Sequence, residues 1–195
     1  MSKIILASKS PRRLELLKST NIFPDIIEPS NIDERIKQKE KTKLYLKRIC
    51  FEKGLKIQKK YKNDIILSAD TIVSTKQKIF GKPINQKDAI RTLEYLSGRN
   101  HNVITGVCLL YKDKKKIKIV ETKIKFKKLQ KDEIDQYIKT NEWVDTAGSY
   151  TIQGFAERFI IRINGSYSNV VGLPLYETVN LLKSIKNREK LIKIL

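Results

Sequence analysis

The chain has 195 residues, enough for a single core, and its apolar residues recur in short blocks throughout, which excludes a long disordered arm. Its 41 Lys+Arg against 21 Asp+Glu give a formal charge of +20, but the lysines are spread over every segment rather than gathered with aromatics on one face, which argues against a dedicated nucleic-acid binder. No stretch approaches the roughly 18 apolar residues of a membrane span, there is no signal-peptide pattern, and Cys50 and Cys108 lack metal-like spacing, so the expectation is one cytoplasmic domain over residues 1–195 with two buried thiols.

In chain order, residues 3–7 are a short apolar run that predicts a buried strand, ending at Ser8. A helix follows at once, with Ser10 as N-cap, Pro11 in the first position and Leu14, Leu16 and Leu17 on its apolar face. Residues 24–31 read as an extended segment and loop. A lysine-rich helix is expected over about 39–61, with Leu44, Ile49, Leu55 and Ile57 among its apolar positions and Lys53 within it.

Residues 64–69 predict a second buried strand that ends at Asp70 and runs on through Thr71, Ile72 and Val73. Gly81-Lys82-Pro83 closes a loop, and Asn85 with Asp88 opens a helix whose Ile90, Leu93 and Leu96 face inward until Gly98. Residues 101–111 and 118–126 read as an antiparallel pair joined by a turn at 112–114. A helix follows over 131–140, with Ile134, Tyr137 and Ile138 on one face. Residues 160–163, the Asn164-Gly165 turn signal and residues 166–171 predict a hairpin, and Pro174 opens a last helix through Leu181 and Leu182. Alternation first and paired strands later make this an α/β chain with a mixed sheet.

Ser8-Lys9-Ser10-Pro11-Arg12-Arg13 puts two hydroxyls, free first-turn amides and two guanidinium groups at a strand-to-helix corner, which suits phosphate. An ordinary Ser-Pro cap with solvated arginines is the competing reading. Asp70 is a candidate for binding Mg²⁺ or orienting water, against a turn or N-cap role. Glu34 is a candidate second carboxylate on the same metal, against an exposed acid. Lys53 and Lys82 are candidates to neutralise phosphate among many surface lysines. His101, the sole histidine, has no triad company and reads as structural, while Gln153 carries an amide able to read a base edge. A P-loop lysine motif and a Rossmann glycine fingerprint are both lacking.

Taken in order, the opening hexapeptide, Ser68-Ala69-Asp70-Thr71, Gly81-Lys82-Pro83, Leu96-Ser97-Gly98-Arg99, residues 101–107, Ile152-Gln153-Gly154 and residues 168–174 resemble the Maf family of nucleoside triphosphate pyrophosphatases over nearly the whole chain. The resemblance implies a mixed central sheet flanked by helices, in two lobes around a cleft, as in inosine triphosphatases. It implies hydrolysis of a triphosphate between the α and β phosphorus atoms with Mg²⁺ or Mn²⁺, and a homodimer without a membrane or nucleic-acid partner. Asp70 matches the proton acceptor and, with Glu34, a metal position; Glu34, Lys53 and Lys82 match cleft residues. Ser8, Ser10, Arg12, Arg13, Thr71 and Gln153 match substrate-binding positions, with Arg13, Thr71 and Gln153 pointing to the branch acting on dTTP and UTP, or on modified pyrimidine nucleotides. One departure stands out: Asp145-Thr146-Ala147-Gly148 carries Thr146 where the family usually has lysine. That departure leaves a non-catalytic nucleotide-binding regulator of septum formation as an alternative, and the charge leaves a nucleic-acid binder as another.

Overall fold

The computed structural model describes residues 2–38 and 40–186. Two compact units divide the chain: Met1–Asp70, Thr105–Val120 and Gly172–Leu195 form the first, Thr71–Ile104 and Glu121–Val171 the second. Among the described residues seven strands make one mixed sheet in the order β2-β1-β3-β5-β6-β7, with β4 beside β3.

In the first unit, β1 (Ile4–Leu6) lies parallel to β2 (Ile26–Ile27) and to β3 (Ile65–Ser74), with Ile5 opposite Ile26 and Ile66. Strand β1 and the first half of β3 are buried on both faces and read as apolar runs, whereas edge strand β2 leaves Ile26 half-buried and Ile27 exposed. Helix α1 (Pro11–Lys18) sinks Leu16 and Leu17, while Leu14 is half-buried. Ser10 stands at its N-cap as expected, but its side chain makes no capping hydrogen bond. Its amide instead donates to Ser8 Oγ at 3.3 Å.

The long helix α2 runs Thr42–Gln58; the expected start at Lys39 lies outside the described residues. Its inward face is Tyr45, Leu46, Ile49, Cys50, Lys53, Gly54 and Ile57, so the expected apolar positions Leu44 and Leu55 are corrected to exposed ones. The i, i+3, i+4 rows decide the face, and they select a lysine over two leucines. Cys50 and Cys108 are buried free thiols in a cluster with Ile5, Ile57, Ile66 and Leu110. Burial pushes the Cys108 thiol up to about 12, so it stays protonated and inert. Helix α6 (Leu175–Lys186) closes the unit, with Thr178 N–H bonded to the Pro174 carbonyl at 2.9 Å.

In the second unit, the end of β3 pairs antiparallel with β4 (Ile79–Phe80), Val73 opposite Phe80. Helix α3 (Gln86–Leu96) starts on Asn85, whose Oδ1 accepts the Asp88 amide at 3.0 Å, and ends before Gly98. Strands β5 (Asn100–Tyr111) and β6 (Lys114–Phe126) are divided between the units, Thr105–Val120 with their two-residue connection counting to the first, and β6 begins earlier than the predicted residue 118. Helix α4 (Lys131–Lys139) buries Ile134, Tyr137 and Ile138 against α3. Phe126, Tyr137 and Phe159 meet edge to face at the centre of this core.

The predicted hairpin over 160–171 is half right. Strand β7 (Ile160–Asn164) forms, but it pairs with β6, Ile163 opposite Ile124, and residues after Gly165 turn into α5 (Tyr167–Val171). The reason is a cap: Ser166 Oγ accepts the Asn169 amide at 3.2 Å, which starts a helix where a return strand was expected.

Candidate functional site

Helix α2 is pinned to the sheet by two polar contacts in an otherwise apolar seam. Ser68 Oγ on β3 donates to the Cys50 carbonyl at 2.7 Å, and Cys50 Sγ donates to the Gly106 carbonyl at 3.1 Å. Gly106 is obligatory there, since a Cβ would lie 2.7 Å from Cys50 Sγ and 3.3 Å from Leu46 Cβ. Lys53 is one turn beyond Cys50, and Asp70 is two residues beyond Ser68 on the same strand face. The seam therefore brings these two together.

Lys53 Nζ lies 2.7 Å from Asp70 Oδ1 and 2.9 Å from Glu34 Oε1. Lys53 and Asp70 are each 7% exposed, whereas the Glu34 side chain is 42% exposed and opens the cluster to solvent. Asp70 lies inside β3, which runs on through Thr71, Ile72 and Val73 as expected, so it is neither a strand end nor a turn or N-cap residue. Glu34 is held by its backbone: Tyr45 Oη donates to the Glu34 carbonyl at 3.0 Å, and Arg48 Nη2 to the Arg35 carbonyl at 3.1 Å. Arg48 is itself fixed by Glu40, Nη2 to Oε2 at 2.7 Å. Burial, then the negative charges of Asp70 and Glu34, push the Tyr45 phenol up, so it remains a donor.

The first corner lies in the same unit. Arg13 Nη1 donates to Ser8 Oγ at 2.9 Å and Nε to the Gly172 carbonyl at 2.8 Å. The residue is half-buried while its guanidinium group is packed inside; that burial lowers its pKa, and the Asp70 carboxylate opposes the change. Arg12 is half-buried at the start of α1, and Ser10 precedes it. Among the described residues no three His, Cys, Asp or Glu side chains gather around a metal position. Asp70 and Glu34 nevertheless form a two-carboxylate donor set that already shares one cation, the Lys53 ammonium. Hard oxygen donors of this kind fit Mg²⁺ or Mn²⁺ when waters and phosphate oxygens complete the shell.

The second unit holds the other expected residues. Lys82 Nζ pairs with Asp145 Oδ1 at 2.7 Å, both side chains about half exposed at 47% and 48%. The two loops are tied together by Gly148 N–H to the Gly81 carbonyl at 3.0 Å. Thr146 is buried, its hydroxyl donating to the Trp143 carbonyl at 2.7 Å, so this side chain staples the loop. Thr71 is half-buried next to Asp70 in β3, and Gln153 is exposed. His101 is buried as expected of a structural residue, Nε2 to Tyr150 Oη at 2.9 Å and edge-on to Phe126.

The structure brings together Asp70, Lys53 and Glu34, joins Ser8 to Arg13, and gives Lys82 a carboxylate partner that sequence reasoning did not assign. Asp145 had a visible signal, standing beside the noted Thr146. Ser68 was visible only as part of the Ser68-Ala69-Asp70-Thr71 segment and Tyr45 had no signal, since their importance lies in the carbonyls they reach.

The sequence pattern of the Maf-like protein family matches residues 3–185. The dTTP/UTP pyrophosphatase of Rhizobium johnstonii is 46% identical over 187 residues, covering 92% of this chain and 91% of that protein. The dTTP/UTP pyrophosphatase of Pyrococcus furiosus is 44% identical, with 94% and 95% covered, and that of Caulobacter vibrioides 41%, with 95% and 96% covered. A HAM1 protein from Coxiella burnetii shares the fold at 16% identity, with a TM-score of 0.54 over 94% of this chain and 100% of that one.

Proposed function

The chain belongs to the Maf-like protein family, and on that premise we propose that it hydrolyses dTTP and UTP, and modified pyrimidine triphosphates of the same edge, to the monophosphate and pyrophosphate. The observation that carries the chemistry is the buried Lys53 ammonium held between the Asp70 and Glu34 carboxylates, in the same unit as Arg13.

Water attacks the α phosphorus, the bond from that phosphorus to the α–β bridging oxygen breaks, and pyrophosphate leaves. Asp70, with Oδ1 on Lys53, keeps Oδ2 to accept the proton of the attacking water. Lys53 fixes that carboxylate in one rotamer, which is the positioning on which such attack depends. Arg13, already oriented by Ser8 and Gly172, offers forked donors to phosphoryl oxygens. Ser8, Ser10 and Arg12 supply further hydroxyl and guanidinium contacts at the start of α1, while Lys82, Thr71 and Gln153 are the substrate-binding candidates of the second unit. A divalent cation held by Asp70 and Glu34 supplies charge neutralisation of the triphosphate when bound. In this reading the enzyme is metal-dependent, cytoplasmic and homodimeric. Among the described residues no helix is long and apolar enough to cross a membrane.

The test is pyrophosphate release across normal and modified nucleotides with Mg²⁺ or Mn²⁺. Preference for dTTP and UTP supports the reading; preference for a methylated guanine nucleotide contradicts it.

A further inference from the structure

Gln153 sits at the tip of a short loop whose two sides are fastened to one residue. Before it, Thr151 Oγ1 donates to the Glu142 carbonyl at 3.0 Å; after it, the Phe155 amide donates to Glu142 Oε2 at 2.9 Å. Gly154 lies flat against the Glu142 carboxylate, and any side chain there would overlap it. Thr151 N–H also reaches Tyr137 Oη at 3.2 Å, and Ile152 is buried, 3% exposed. Glu142 is anchored in turn, its amide on Thr140 Oγ1 at 3.2 Å and the adjoining Trp143 Nε1 on the Ile138 carbonyl at 3.0 Å. The loop 151–155 is thus a hoop closed on Glu142, with only Gln153 at its tip exposed.

A carboxamide carries one acceptor and a donor pair, and rotation by half a turn exchanges them. Thymine and uracil present a carbonyl beside a ring N–H, whereas cytosine presents an amino group beside a bare ring nitrogen. A Gln on a loose loop satisfies either edge by flipping and shifting. Discrimination needs its backbone held in one place.

We infer that Glu142 is the positioning residue for pyrimidine selectivity: its carbonyl holds the Thr151 hydroxyl before Gln153 and its carboxylate holds the Phe155 backbone amide after it, so that the Gln153 amide meets the thymine or uracil edge and not the cytosine edge. This rests on Gln153 reading the base, and the experiment separates the two. kcat/KM is measured for dTTP and dCTP with the wild type, Glu142→Ala, Glu142→Gln and Gln153→Ala.

Glu142→Ala is expected to lower the dTTP-to-dCTP ratio about tenfold, the size of one misplaced polar contact, with a smaller change in kcat for dTTP. Glu142→Gln keeps an oxygen for the Phe155 amide and should restore most of the ratio, which a merely structural role would not require. Thr151→Val, which cuts the other side of the hoop, reads the same ratio if Glu142→Ala does not fold. A wild-type ratio in Glu142→Ala, alongside a lost ratio in Gln153→Ala, overturns the inference and leaves base reading by Gln153 standing. A wild-type ratio in Gln153→Ala overturns both.

Discussion

The Lys53 ammonium stands 2.7 Å from Asp70 Oδ1, with each side chain about nine-tenths buried. Two charges removed from water at this depth are stable only as a pair. Glu34 adds a second carboxylate from the exposed side, so the cluster carries one cation between two anions. Those three side chains together carry one excess negative charge, which suits the proton-accepting role proposed for Asp70.

Removing the cation should expose the cost of burying the anion. Lys53→Met is expected to destabilise the protein by about 3–5 kcal/mol in urea unfolding, because Asp70 is left without its nearest counter-charge. Adding Asp70→Asn to it should recover part of that loss. Additive effects of the two changes would show that the contact carries no coupling.

Arg13→Lys tests the forked donor. A lysine keeps the charge but cannot span Ser8 Oγ and the Gly172 carbonyl together. kcat/KM for dTTP should fall by about 10²-fold, as when a clamp is misplaced, with little change in thermal midpoint. An enzyme of near wild-type kcat/KM would take Arg13 out of the substrate contacts.

The seam beneath Lys53 should be intolerant of volume. Gly106→Ala places a methyl 2.7 Å from Cys50 Sγ and should cost about 1–3 kcal/mol. It should also lower activity, because α2 carries Lys53 away from Asp70 as it shifts. A stable variant with full turnover would show that α2 can move without disturbing the cluster.

How much of this was legible in the sequence follows from how each interaction is encoded. Strands β1 and β3 and helices α1, α3 and α4 announce themselves through apolar runs, Pro11, Asn85 and periodic faces. The inward face of α2 was misread because hydropathy chose Leu44 and Leu55, whereas packing chose Lys53 and Gly54. Helix α5 was missed because the Asn164-Gly165 signal favours a hairpin, and nothing local shows that Ser166 will cap Asn169. Lys53 and Glu34 stood in the sequence as candidates among many surface lysines and acids, and only the resemblance singled them out. Their convergence depends on the Ser68-to-Cys50 contact and the Tyr45-to-Glu34 contact, 18 and 11 residues apart in sequence.

His101 gives a pH dependence with a definite sign. Burial lowers its pKa from 6.5 to about 4, so between those values the unfolded chain binds the proton and the folded chain does not. The contribution of the neutral ring is complete above about pH 6.5 and is lost as pH falls towards 4, on the order of 3 kcal/mol in all. Urea midpoints measured from pH 7 to pH 5 should fall for the wild type. They should fall less steeply for His101→Gln, which is weaker at pH 7 but has no proton to take up. Equal slopes would remove His101 as the cause.

The most direct test of the account is pyrophosphate release from dTTP and UTP by Asp70→Asn beside the wild type, with thermal unfolding measured on both. The wild type should release one pyrophosphate per monophosphate formed. Asp70→Asn should lose about 10²–10⁴-fold in kcat, the range for removing a general base, and should stay folded because Glu34 still neutralises Lys53. Near-normal turnover by a folded Asp70→Asn would contradict the central claim.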